Sequence, residues 1–245
     1  MVGLCPAASG TCYLPPDRAN QRILTKDRLA RGKMAEEEEE QTMHKVIRVL
    51  TIRHGEKGNG PFADLISLRG IAHVRSVTAR MLQRAGIIEG PVLAAYSSLV
   101  RTRETLQVMY DTANKPESGV KLEWIFSAEA ANNLGNDAFF HFLMEAGYGI
   151  HAKRMSPVVA LMACGESISD KAFHMVRRIG MGIYEHAITL GIDQIILVGH
   201  SPLIELMYEI SGGEPGIRRL AEMEGVVLEL DETGFKAVEV IHHNT

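Results

Sequence analysis

Apolar and polar positions follow two rhythms along residues 45–241. Short, nearly unbroken apolar runs rich in β-branched residues predict buried strands. They cover Lys45–Ile52, Pro91–Tyr96, Leu122–Phe126 and Gln194–Val198. Between them apolar residues recur every three or four positions, as in helices that bury one face. Leu68, Ile71, Ala72, Val74, Met81, Leu82 and Ala85 predict a first helix, with Ser67 as its N-cap and Gly86 as its end. Arg101–Tyr110 and Asn136–Ala146 read as two more, the latter broken at Gly147-Tyr148-Gly149. The pattern over Pro157–Gly165 decides for neither state. Ser169–Leu190 predicts a long amphipathic helix that buries Ala172, Met175, Val176, Ile179, Ile183 and Ala187 and closes at Gly191. Pro202–Ile210 predicts another helix, and Val226–Leu230 with Phe235–Ile241 a terminal hairpin turning at Asp231–Gly234. Strands alternating with helices predict an α/β fold, a three-layer α/β/α sandwich on a mostly parallel central sheet.

Residues 1–44 break this pattern. They carry Pro, Gly and scattered charge, then an unbroken acidic run, Glu36–Glu40. Apolar content this thin does not offset the entropy of ordering a chain. The expectation is a disordered or loosely attached extension ahead of a catalytic domain over 45–245. No apolar stretch after Met1 suits a signal peptide, and no run of about 18 apolar residues suits a membrane span. The three cysteines, Cys5, Cys12 and Cys164, are odd in number and lack metal spacing. They point to a reducing compartment, and the expected location is cytoplasmic. A net charge of −4 argues against a general nucleic-acid binder. Any anion site must therefore be a local concentration of cations.

Such a concentration stands where the strands end. The first runs into Arg53-His54-Gly55-Glu56, the second into Ser97-Ser98 and Arg101, the fourth into Gly199-His200-Ser201. Ligands in open α/β sheets bind at the carboxyl ends of the strands. Arginine offers a planar fork that matches phosphate oxygens. A neutral imidazole is a nucleophile near pH 7. Phosphoryl transfer through a phosphohistidine needs one imidazole in line with phosphorus and cationic donors on the equatorial oxygens. It needs a carboxylic acid for the leaving oxygen, and neither a metal nor an organic cofactor is called for.

Those residues resemble the signature of the histidine phosphatase superfamily, which includes the cofactor-dependent phosphoglycerate mutases. Further motifs carry the resemblance over about Val46–Val240. Ile66-Ser67-Leu68-Arg69-Gly70 is similar to the Leu-Thr-x-x-Gly stretch. Ser97-Ser98-Leu99-Val100-Arg101-Thr102-Arg103-Glu104-Thr105, with Tyr96 before it, is similar to the Ser-Ser-Pro-Leu-x-Arg-Ala-x-Glu-Thr motif. Gly165-Glu166-Ser167 with Asp170 and Arg177 resembles the stretch before the long helix. The resemblance implies that His54 is the phosphorylated nucleophile and that Arg53, Arg101 and His200 form the phosphate pocket. It implies a proton donor after the third strand, where Glu129 stands; Glu123, the competitor, precedes the apolar part of that strand. Glu56 supports the loop, and Arg103 is a surface residue.

The departures bear on the activity. Tyr96 and Ser98 replace a serine and a proline of the motif. The loop Lys57–Asp64 lacks the Trp-Asn pair of mutases, with Asn59 as the nearest stand-in for substrate binding. The stretch Glu129–Glu166 is the natural place for a substrate-selecting cap. His151, Lys153 and Arg154 within it are cationic, but read as a solvated turn. His73, His141, His174 and His186 read as surface or core-edge helix residues, and His242 and His243 as a frayed C-terminus. The implied function is a metal-independent phosphatase acting on phosphomonoesters or phosphohistidine, its substrate a phosphorylated small molecule or phosphoprotein. Alternatives are a mutase-type phosphotransferase and a non-catalytic phosphate-binding member of the fold. A serine hydrolase with Ser201 as nucleophile fits less well, because Leu203 stands where the nucleophile elbow has glycine and too little chain follows for the acid and base. Nothing in the sequence sets the oligomeric state.

Overall fold

The computed structural model describes residues 45–127 and 136–243. The extension expected over residues 1–44 lies outside the described residues. Six strands form one sheet: β1 (Ile47–Arg53), β2 (Glu89–Tyr96), β3 (Lys121–Phe126), β4 (Gln194–Gly199), β5 (Gly225–Asp231) and β6 (Gly234–Ile241). Their order is β3-β2-β4-β1-β5-β6. β1, β2, β3 and β4 run parallel, while β5 and β6 add the antiparallel hairpin beside β1. This is the mostly parallel sheet that the sequence predicts. It places β1 and β4 side by side at its centre.

The helices are α1 (Leu68–Arg84), α2 (Val100–Ala113), α3 (Asn136–Glu145), α4 (Tyr148–His151), α5 (Pro157–Met162), α6 (Glu166–Thr189) and α7 (Leu203–Ile210). Side chains alternate across a strand, and β1 uses both faces. Ile47 and Val49 join a core with Ala172, Val176 and Ile183 of α6 and Leu206 of α7. Leu50 and Ile52 join a second core with Val74 and Met81 of α1 and Leu106 and Met109 of α2. Two buried layers against one sheet make the three-layer sandwich.

Several element limits differ from expectation for local reasons. Ser67 caps α1 as predicted, its hydroxyl accepting from Gly70 N. α6 starts three residues early, at Glu166, behind Gly165 with φ 106°. The undecided stretch forms α5, with Pro157 at its first turn, where a missing N–H costs nothing. Gly147, at φ 78°, only turns the chain before the short α4, so the expected break is a corner between helices. His242 and His243 are not frayed: His242 Nδ1 lies 3.1 Å from Glu224 Oε1, and His243 Nε2 lies 2.9 Å from Glu222 O. Among the described residues, no helix is long and apolar enough to cross a membrane.

Candidate active site

The register of the central strands builds the site. Arg53 pairs with Gly199, so the next residues, His54 and His200, emerge together at the carboxyl edge. His54 N–H donates to Gly199 O at 3.2 Å. The two imidazole centroids lie 4.9 Å apart. Both rings are buried, His54 being 5% exposed and His200 9%.

Three contacts orient His54. Its Nδ1 lies 2.6 Å from its neighbour's carbonyl, Gly55 O, which can only accept. The ring proton therefore sits on Nδ1 and the lone pair on Nε2. Arg101 Nε donates to that Nε2 at 3.2 Å. Gly55 N–H donates to Thr105 Oγ1 at 3.0 Å. Burial, reinforced by Arg101 and Arg53, outweighs the Gly55 bond and brings the His54 pKa down to about 4. The His54 ring is therefore neutral at pH 7.

His200 is set by the end of β2. Its Nε2 lies 2.7 Å from Ser97 Oγ. Thr102 Oγ1 directs its proton to the carbonyls of Leu99 (2.6 Å) and Ser97 (2.8 Å) and stands 3.0 Å from Ser97 Oγ. Burial first, then the charges of His54, Arg101 and Arg53, brings the His200 pKa to about 3.

The motif on α2 now has a physical reading residue by residue. Arg101 meets His54. Thr102 ties the strand-to-helix turn. Glu104 Oε2 accepts from Ile66 N at 2.8 Å and holds the loop after β1. Thr105 holds Gly55. Arg103 is exposed. Glu56 braces the same loop: its carbonyl accepts from Ser67 N at 2.8 Å, and its carboxylate lies 3.6 Å from Arg69. Gly70 is required there, because an added Cβ would stand 2.5 Å from Glu56 O.

Arg53 is held by residues 218–224, a segment the sequence analysis leaves without a role. Arg53 Nη1 donates to Leu220 O, and Nη2 lies 3.1 Å from Glu222. Leu220 N–H donates to Glu205 Oε1 at 2.8 Å, and Glu205 is wholly buried on α7. Glu224 Oε2 accepts from Ala221 N at 2.7 Å, and Oε1 from Arg218 at 2.7 Å. Burial alone would raise the Glu224 carboxyl, but Arg218, the Ala221 N–H and His242 outweigh it and hold its pKa at about 2. Burial also pulls the guanidinium pKa values of Arg53 and Arg101 down, although arginine remains charged.

These groups open on a cleft of about 420 Å³ lined by Arg53, His54, Lys57, Asp64, Leu99, Arg101, His141, His200, Ser201, Arg219 and Glu222. Four permanent cations face two carboxylates, so the cleft favours an anion. The structure thus gathers His54, Arg53, Arg101 and His200. It does not bring in Asn59, whose carbonyl accepts from Phe62 N at 3.2 Å in a short turn outside the lining. The motif pattern could not show this, because a 3₁₀ turn over Gly60–Phe62 carries the loop onward. Glu129 lies outside the described residues. His141 was read as bland, yet it lines the cleft from α3. Lys57, Asp64, Arg219 and Glu222 were missed. The Arg218-Arg219 pair was the available signal for the last loop. Ser201 Oγ accepts from Arg219 Nε at 3.1 Å, with no histidine bonded to it among the described residues, which removes the basis of a serine nucleophile.

No family model and no curated protein matches the sequence. Solved structures do match. Phosphoglycerate mutase from Bacillus anthracis str. Sterne is 13% identical, with a TM-score of 0.53 over 82% of this chain and 95% of that one. The protein histidine phosphatase SixA complexed with tungstate is 17% identical, with a TM-score of 0.45 over 80% of this chain and 96% of that one. A mycobacterial glucosyl-3-phosphoglycerate phosphatase is 12% identical, with a TM-score of 0.45 over 80% and 97%. The likeness to the mutase shows the fold: this chain has a phosphoglycerate mutase-like α/β fold, the fold that the motif resemblance implied.

Proposed function

We propose that the protein is a phosphatase that hydrolyses phosphomonoesters or phosphohistidine through a covalent phosphohistidine on His54. The observation that carries this reading is the neutral His54 ring, protonated at Nδ1 by the Gly55 contact, with Nε2 facing Arg101 in a cationic cleft. In the first step Nε2 attacks phosphorus, the Nε2–P bond forms, and the bond from phosphorus to the leaving atom breaks. The leaving atom departs with the bonding pair and takes a proton from a carboxylic acid. In the second step water attacks phosphorus and the N–P bond breaks. Inorganic phosphate leaves, and the water's proton returns to the same carboxylate.

Arg53, Arg101 and His200 bind the equatorial oxygens, where charge gathers in the transition state. Bound phosphoryl displaces the Arg101–His54 contact, so Arg101 moves from holding the nucleophile to holding its target. The resemblance assigns the acid to Glu129; Asp64 and Glu222 are the carboxyl groups that line the cleft among the described residues. The reading favours water over a second acceptor because the loop Lys57–Asp64 carries no counterpart of the mutase Trp-Asn pair. The test is hydrolysis of p-nitrophenyl phosphate by the wild type and His54→Ala, with acid-labile, base-stable phosphate trapped on the wild type alone. Equal turnover by both proteins would sink the reading.

A further inference from the structure

A second cavity of about 250 Å³ adjoins the cleft and shares two residues with it, Ser201 and Arg219. Its wall is apolar: Met144, Tyr148, Ala152, Met155 and Pro157, from α3, α4, the turn after it and the start of α5. Its rim is cationic, with Lys153 on one side and Arg219 at the junction. Lys153 is exposed on the turn after α4, as the sequence reading has it, and it lines the hollow. Arg219 is oriented there, since its Nε is committed to Ser201 Oγ at 3.1 Å. None of these groups is needed to hold a phosphoryl group at His54. An apolar hollow with two cations at its edge suits an apolar body that ends in a negative charge.

We infer that the hollow bounded by Lys153 and Arg219 is the leaving-group subsite, and that the substrate is a phosphorylated molecule whose apolar leaving group carries a second anionic group. The inference rests on the reading of His54 as nucleophile for its orientation: phosphorus at His54, the leaving group across Ser201 toward Lys153. The second anion has carboxylate or phosphate chemistry, and both can be presented on the same scaffold.

The test uses non-hydrolysable phosphonates, so that binding is read without turnover. Benzylphosphonate and its two-ring biphenyl homologue are compared with derivatives bearing a para carboxylate or a para phosphonate, by calorimetry on the wild type, Lys153→Gln and Lys115→Gln. Lys115 lies in a turn after α2 and serves as a control for net charge. The expected result is at least about tenfold tighter binding of an anion-bearing ligand by the wild type, about 1.4 kcal/mol. That ratio falls below about threefold in Lys153→Gln and is unchanged in Lys115→Gln. The larger ratio of the two derivatives names the source of the anion. A wild-type ratio near one, or an equal fall in both variants, overturns the inference. Loss of p-nitrophenyl phosphate hydrolysis with the ratio intact overturns the phosphatase reading and leaves the subsite standing.

Discussion

The cleft has two unlike walls. One is made of strand ends: His54 and His200 are buried, and every oriented atom is tied to a neighbour in the sheet or in α2. The other is made of short helices: Met144, Tyr148 and Pro157 line the hollow, while Ile150 (74% exposed) and Met162 (62%) on the same helices face solvent. The first wall fixes a charge pattern before any ligand arrives, which is what stabilising a transition state requires. The second offers surface and two cations, which is what choosing among leaving groups requires. On the proposed reading, chemistry falls to the first wall and selectivity to the second. Mutations should separate them.

The largest effect is expected at the strand wall. His54→Ala should lower turnover by at least about 10³-fold, because no other group forms the covalent intermediate; a steady-state assay against p-nitrophenyl phosphate checks this. The acid comes next. Among Glu129→Gln, Asp64→Asn and Glu222→Gln, one variant should lose about 10²–10⁴-fold on an alkyl phosphate and far less on p-nitrophenyl phosphate, whose leaving group needs no proton. If all three discriminate equally, none is the acid.

Stability against pH probes the same wall. His54 titrates near 4 and His200 near 3 in the fold, below the unfolded value of 6.5. The unfolded chain therefore binds more protons in acid. Stability from keeping the rings neutral is fully present above pH 6.5 and is lost as pH falls through 4 and on to 3. His54 alone accounts for on the order of 3 kcal/mol by this linkage. Urea unfolding should give a flatter dependence over that window for His54→Asn than for the wild type. The acid limb of kcat/KM should likewise lie near pH 4, well below that of a solvated imidazole.

Thr105→Val keeps the shape but leaves the Gly55 N–H without its acceptor. It should cost about 1–3 kcal/mol of unfolding free energy and lower kcat more than it raises KM. At the other wall, Met162→Ser should change stability by no more than about 0.5 kcal/mol. A loss there as large as that of Thr105→Val would erase the contrast between the walls.

The same division governs what could be read from the chain. Strands announce themselves as apolar runs, and the residues just past them, Arg53-His54 and Gly199-His200, fall at the site by rule. The α2 motif was legible because Arg101, Glu104 and Thr105 keep a fixed spacing on one helix. Residues 218–224 offered only the Arg218-Arg219 pair as a signal. Their work is done by backbone groups, Leu220 O and N above all, which carry no residue signature. His141 was underread for a related reason: α3 has too few turns for its pattern to show which face meets the cleft. Asn59, named as the stand-in for the mutase Trp-Asn pair, lies in the turn before Gly60–Phe62 and outside the cleft lining.

The partners in the strand wall are far apart along the chain. Ser97 reaches His200 across 103 residues, and Arg53 reaches Leu220 across 167. Closing such loops is slow, because chain entropy is lost before the contacts repay it. His54 is therefore made early in synthesis, but its cleft is incomplete until β4, α7 and the loop after them have emerged. Until those elements are present, the contacts that bury His54 and orient His200 cannot form, so the site depends on a chain that has closed its sheet.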